Sequence, residues 1–305
     1  MFDNFEHLRI DTGELEISCV VAGVGAPILL LHGFPQTMAI WATIAPALVK
    51  LGYQVICADL RGYGASDKPC ASVEYKNYSF RCMAADQIKV MQALGHKHFH
   101  VIGHDRGARA AYRLALDNPE MISSLTIMDI VPTDVLLKDI RKDVAQSYWH
   151  WYFLAQPAPF PEQIILKDPD YFFQACLFGW GGASEADFNP EQLAAYRESW
   201  RNPKTVSGFC NDYRATLAID FDHDIADQGR KVSTPTLVMY GENSVMARLY
   251  DIPSVWSERC SDLKSAAVPG GHFFPDSSPA AVVERLHEFL KTKIKYRQPL
   301  KTCQT

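Results

Sequence analysis

Residues 103–107 read Gly103-His104-Asp105-Arg106-Gly107, between a strand-like run, His100-Val101-Ile102, and a helix-like run over 107–116. A G-x-D-x-G spacing at that junction predicts a sharp turn, with a glycine where strand and helix pass too closely for a side chain. Such a turn lifts its middle side chain, Asp105, above the end of a strand. It needs a strand–turn–helix unit around it, so the chain is expected to build an α/β sheet domain.

The flanking sequence supplies that unit repeatedly. Strand signals fall at 14–21, 27–31, 54–58, 99–103, 125–128, 234–240 and 265–268, and helical patterns at 43–51, 79–94, 107–116 and 280–293. Strands separated by helices predict a mostly parallel sheet covered on both faces. From 132 to about 224 the strand signals stop. Aromatics crowd in, as in Tyr148-Trp149-His150-Trp151-Tyr152-Phe153 and Tyr171-Phe172-Phe173, and turn-rich pieces such as Gln156-Pro157-Ala158-Pro159 separate short helical stretches. We read 132–225 as a helical cap inserted into an α/β core formed by 1–131 and 226–305, with 296–305 as a polar tail.

Composition narrows the partners. The 305 residues are 48% apolar and 21% charged, enough for one sizeable core plus an insertion. A net charge of −5 without a basic block argues against nucleic acid or an anionic membrane as partner. No apolar run approaches the roughly 20 residues of a membrane-spanning helix. The start, Met1-Phe2-Asp3-Asn4-Phe5-Glu6, lacks the basic and apolar regions of a signal peptide. Eight cysteines without a C-x-x-C pair read as reduced thiols of a cytoplasmic protein, with neither metal nor cofactor expected.

A carboxylate at the turn, where a serine is commoner, sets the chemistry. Attack on an acyl carbon would give a labile anhydride. Attack on a saturated carbon bearing a leaving group gives an ester that water can cleave later. The substrate should therefore lose a halide or open an epoxide. His272, in Gly270-Gly271-His272 after the last strand, is the candidate base. Its orienting acid is either Asp129, after the strand at 125–128, or Glu242, after the strand ending at Tyr240; Asp129 is preferred. Backbone N–H groups of Phe34 and Arg106 are the candidate oxyanion donors. His32 and His104 are read as structural.

Arg109 lies four residues beyond Asp105, on the same helix face, and Arg106 adjoins it directly. Two guanidinium groups beside a reactive carboxylate suit a substrate with its own carboxylate close to the attacked carbon. The competing reading pairs either arginine with an acid of the scaffold or cap. For Arg113, expected to point outward, that pairing is the better reading.

At this point the sequence resembles the haloacetate (fluoroacetate) dehalogenases of the α/β-hydrolase superfamily. The likeness rests on Gly103-His104-Asp105-Arg106-Gly107-Ala108-Arg109 and on Tyr148-Trp149-His150-Trp151. It extends to Asn211-Asp212-Tyr213-Arg214, Ala226-Asp227-Gln228-Gly229-Arg230-Lys231 and Gly270-Gly271-His272-Phe273. The resemblance implies an α/β-hydrolase fold: a mostly parallel eight-stranded sheet flanked by helices, with an inserted helical cap. It further implies Asp105 as nucleophile, His272 as base, Asp129 as its acid, and Arg106 with Arg109 on the substrate carboxylate. His150, Trp151 and Tyr213 are implied to hold the departing halide, and a homodimer is implied as the assembly. The expected partner is a small molecule, a 2-haloacid such as fluoroacetate or chloroacetate, converted to glycolate and halide. An epoxide hydrolase with the same Asp-His-Asp machinery and a non-catalytic small-acid receptor remain as alternatives. The paired arginines speak against the first and the intact triad against the second.

Overall fold

The computed structural model describes residues 1–139, 141–179 and 183–292. The tail expected at 296–305 and Trp180, read as a packing residue, lie outside them. Eight strands form one sheet: β1 (Glu6–Asp11), β2 (Glu16–Ala22), β3 (Ala26–Leu31), β4 (Tyr53–Ala58), β5 (Phe99–His104), β6 (Ile122–Met128), β7 (Thr236–Gly241) and β8 (Leu263–Val268). Their order across the sheet is β1-β2-β4-β3-β5-β6-β7-β8. β2 runs antiparallel to β1 and β4, and every later pairing is parallel.

The central strands carry the continuous apolar runs that a sheet covered on both faces demands. Ile28, Leu29, Leu30 and Leu31 are fully buried, and every residue of β5 is buried. β1 is the strand that periodicity missed. Only Leu8 and Ile10 turn partly inward, while Glu6, His7, Arg9 and Asp11 face solvent, as fits an edge strand.

Helices α1 (Ile44–Lys50), α2 (Phe80–Ala93) and α3 (Arg106–Asp117) follow β3, β4 and β5. α3 packs on β5, β6 and α2, and all of its residues from Arg106 to Leu116 are buried. Between β6 and β7 the described residues contain helices and no strand. These are α4 (Thr133–Lys138), α5 (Lys142–Ser147), α6 (Trp149–Leu154), α7 (Phe160–Ile165), α8 (Pro169–Gln174), α9 (Pro190–Trp200), α10 (Pro203–Ala215) and α11 (Phe221–Ala226). Three of them start by the same device. Asp168, Asn189 and Asn202 each precede a proline at the first helical position, and each side chain accepts a backbone N–H of the first turn.

After β7 come α12 (Val245–Leu249) and α13 (Ile252–Ser257), and after β8 come α14 (Phe274–Ser277) and α15 (Pro279–Leu290). α15 packs with α1 and β8. The helical segment is tied to the sheet through Phe34, in the loop after β3. Its ring lies 5.8 Å from His150, 5.3 Å from Phe209 and 5.2 Å from Tyr213.

Candidate active site

The turn after β5 is strained in the way its sequence predicts. Asp105 adopts φ 48°, ψ −114°, a conformation that costs a non-glycine residue about 1–3 kcal/mol and persists only where its surroundings enforce it. Those surroundings are close backbone. A Cβ on Gly103 would sit 2.4 Å from the Gly107 carbonyl oxygen, and one on Gly107 would sit 2.3 Å from that of His32. Larger residues at either place would push α3 off β3 and β5.

Asp105 is buried, and its Oδ1 accepts the Phe34 N–H at 3.0 Å. Its Oδ2 lies 3.8 Å from Nε2 of His272. Nδ1 of His272 lies 2.7 Å from Oδ2 of Asp129. Asp129 leaves β6 with φ 52°, and its Oδ1 accepts the Gly241 N–H at the end of β7 at 3.1 Å. The three side chains therefore form one line at the carboxyl ends of β5, β6 and β8. Asp129 adjoins His272, whereas Glu242 is exposed. An Nδ1–H donated to Asp129 leaves Nε2 facing Asp105.

Burial alone would raise the Asp105 carboxyl. Favourable electrostatics from His272, His104 and Arg106 together with the Phe34 N–H outweigh it and hold the group below its usual value. Asp105 is thus an ionised carboxylate at neutral pH. His104 Nε2 lies 2.8 Å from the carbonyl oxygen of His272, bracing the loop that carries it. His32 spans the Gly33 carbonyl (3.0 Å) and the Leu60 N–H (3.2 Å). Burial pushes both rings below their usual range, His104 to about 4.

The two arginines differ. Arg106 donates from Nε to Oδ2 of Asp212 on α10 at 2.9 Å, and from Nη2 to the other carboxylate oxygen and to the Thr216 hydroxyl. Its Nη1 is buried without a hydrogen-bond partner. Arg109 donates from Nη1 to the Val131 carbonyl at 3.0 Å and to the Thr133 hydroxyl at 3.1 Å. No carboxylate among the described residues forms an ion pair with it. Burial, then repulsion from Arg106, pulls its guanidinium down to about 10. The expected twin-cation floor is therefore uneven, with Arg106 offset by Asp212 of α10 and Arg109 not. Arg113 pairs with acids as read, Asp224 at 2.8 Å and also Asp227, but it points inward. The outward expectation failed because α3 is enclosed by the sheet, α2 and the α11 region.

His150 and Trp151 come from α6 and Tyr213 from α10, and all three are buried. The Tyr213 ring lies 5.9 Å from His150 and 5.6 Å from Trp151. Burial lowers His150 to about 3 and raises Tyr213 well above its usual value, so both are neutral N–H and O–H donors. Asp105, His150 and Tyr213 share a cavity of about 10 Å³, close to the space of one water-sized group. Trp151 stands beside it at the arginines, its ring 4.7 Å from the Arg109 guanidinium carbon and 5.3 Å from that of Arg106.

Sequence reading missed Asp212, the partner of Arg106, although it immediately precedes Tyr213. It also missed Asp276, whose carboxyl accepts from Gln36 Nε2 and from the Tyr196 hydroxyl, each at 2.8 Å. Burial pushes that carboxyl up to about 7.

A family model described as alpha/beta hydrolase fold matches residues 26–279, the span from β3 to the start of α15. A fluoroacetate dehalogenase from Burkholderia sp is 49% identical over 290 residues, covering 95% of each chain. A soluble epoxide hydrolase from Corynebacterium sp. is 30% identical, covering 92% of this chain and 93% of its own. A crystal structure from Nostoc sp PCC 7120, of a protein described by the same hydrolase fold, superposes with a TM-score of 0.93 at 43% identity. It covers 95% of this chain and 99% of that one. The chain belongs to the α/β-hydrolase family, in its haloacetate dehalogenase branch.

Proposed function

We propose that this enzyme hydrolyses short 2-haloacids, fluoroacetate or chloroacetate among them, to the 2-hydroxyacid and halide. Asp105 attacks the α-carbon and expels halide toward His150, Trp151 and Tyr213. The enzyme is left as an ester of residue 105. His272, oriented by Asp129, takes a proton from water, which adds to the ester carbonyl. The Phe34 and Arg106 N–H groups hold the oxyanion, and the tetrahedral adduct collapses to the Asp105 carboxylate and the 2-hydroxyacid, whose leaving alkoxide takes the proton back from His272. A single displacement at carbon inverts a chiral 2-haloacid.

The observation that carries this reading is Arg109, a buried guanidinium one helical turn from Asp105 with no carboxylate paired to it. A buried cation lacking an acid is costly unless its ligand brings one. A neutral epoxide brings none. The Burkholderia dehalogenase at 49% identity supports the same substrate class. The epoxide reading draws on the Corynebacterium relative and on Tyr213 at the cavity. An epoxide hydrolase usually needs two tyrosines to protonate the epoxide oxygen, and the candidates beside Tyr213, Tyr148 and Tyr152, are not among the cavity's walls.

Fluoride-electrode assay with fluoroacetate tests the proposal, with Asp105→Asn as the inactive control. Oxygen-18 water should label residue 105 in a single turnover. Styrene oxide turnover without halide release would overturn the haloacid reading in favour of the epoxide one.

We assign 132–225 as the cap and 1–131 with 226–305 as the core, a division supported by the all-helical run between β6 and β7. A cytoplasmic location is supported by the seven described cysteines, all free. No helix among the described residues is long and apolar enough to cross a membrane. Exposed Trp149, Phe160, Ile164 and Tyr171 on α6–α8 support a homodimer joined through the cap. Light scattering of the purified protein tests that assembly.

A further inference from the structure

Cys176 lies in a one-turn π-helix, Ala175–Gly179, just after α8, and its side chain forms part of the wall around Asp105. On the haloacid reading, the directions around the attacked carbon are largely assigned. Asp105 approaches from one side, and the halogen leaves opposite it toward His150 and Tyr213. The carboxylate lies toward the arginines. The two remaining substituents of the carbon face what is left of the wall: Phe34, Pro35, Phe273 and Cys176.

These four walls are not equally free to change, and the Phe34 ring is fixed between His150 and Tyr213 at 5.8 and 5.2 Å. The Phe273 ring packs on the His272 ring at 4.8 Å and on Phe188 at 5.8 Å, so resizing it would move the base. Pro35 directly follows Phe34, whose N–H rests on Asp105. Cys176 comes from the helical side, next to Tyr213, and its volume can change without displacing the base or the oxyanion donor. Burial keeps the thiol protonated, pushing it up to about 12, so it does not compete with Asp105 for an alkylating substrate. It contributes bulk.

We propose that the side chain of Cys176 sets the size of the substituent the α-carbon can carry, admitting hydrogen and discriminating against methyl and longer groups. This rests on the haloacid reading and adds the wall that limits its substrate range. A single methylene in an apolar pocket is worth roughly 10–200-fold in specificity, so one side chain suffices to separate 2-haloacetates from 2-halopropionates.

Two ratios test the proposal in wild type, Cys176→Ala, Cys176→Val and Cys176→Ser. The first is kcat/KM for 2-chloropropionate over chloroacetate. The second is the affinity for lactate over glycolate by calorimetric titration, which needs no turnover. Cys176→Ala should raise both ratios and Cys176→Val lower both, each by about tenfold. Cys176→Ser, with nearly the same volume, should leave both near wild type. Ratios within about twofold of wild type in Ala and Val would overturn the role of Cys176. If Val does not fold, Ala decides alone. A wild type that releases no halide sinks the haloacid reading, while the lactate-to-glycolate ratio still judges Cys176.

Discussion

Asp212 reaches from α10 to Arg106 at the start of α3, accepting from its Nε at 2.9 Å in a site where both side chains are fully buried. The same carboxylate accepts the Tyr63 hydroxyl at 2.6 Å. A cap acid is thereby keyed into the core beside the proposed attack point. It occupies two edges of the guanidinium and leaves Nη1 as the edge without a partner. On the proposed reading, the Nη1 N–H groups are what Arg106 offers a substrate carboxylate.

Truncating one partner of a buried ion pair strands the other charge, at about 3–5 kcal/mol. Asp212→Ala should lower stability by that order, read from urea midpoints, and raise KM for haloacetate because the Arg106 fork is no longer held. Asp212→Asn, which keeps hydrogen-bonding atoms, should lose less. Unchanged midpoints in both would mean that the pair contributes nothing.

The triad predicts a stalled intermediate. His272→Gln should still be alkylated at Asp105 by chloroacetate but should not release the ester. Intact-mass spectra should then show one retained carboxymethyl group. Asp105→Asn should show none. Glu242→Gln should behave as wild type, since Glu242 is exposed and Asp129 stands 2.7 Å from the imidazole. A loss in Glu242→Gln as large as in Asp129→Asn would reassign the orienting acid.

Arg109 gives the pH dependence of binding. Its protonated form is the one that grips a carboxylate, and burial with Arg106 nearby brings it down to about 10. KM should hold below that pH and rise as pH climbs through it, because the cation is lost. Arg109→Leu should raise KM strongly at neutral pH and abolish this alkaline limb. The fold should survive, since the side chain's hydrogen bonds go to one carbonyl and one hydroxyl and its aromatic contact is the Trp151 ring. An alkaline limb that persists in Arg109→Leu would assign it to another group.

The elbow was legible because its constraint is local. Gly103 and Gly107 are forced by backbone 2.3–2.4 Å from where a Cβ would be, and five consecutive letters record that. The order of Asp105, Asp129 and His272 was legible because each follows a strand. What escaped depends on contacts between distant segments. Asp212 lies 106 residues from Arg106, and Asp276 lies 240 residues from Gln36, with no periodic signal linking either pair. Arg113 was turned the wrong way because a stripe of arginines reads as a solvated face, whereas α3 is enclosed and the acids come from 224 and 227. β1 escaped because an edge strand with two half-buried residues lacks a hydrophobic period.

Asp276, in α14 just after His272, accepts from Tyr196 on α9 and from Gln36. Burial, with no cation bonded to it, places its carboxyl near 7, above the usual value of 3.8. The folded protein therefore keeps a proton there that the unfolded chain releases between those pH values. Stability from this group is complete below about 4 and is lost as pH rises toward 7, by a ceiling on the order of 4 kcal/mol. Asp276→Asn holds the neutral shape at every pH. Its N–H group gains an acceptor when the Gln36 amide turns over, because Gln36 Oε1 is buried without a partner. Urea denaturation at pH 5 and pH 8 should show Asp276→Asn gaining on wild type at the higher pH. If the gap between the two proteins is the same at both, the carboxyl is not titrating in the fold.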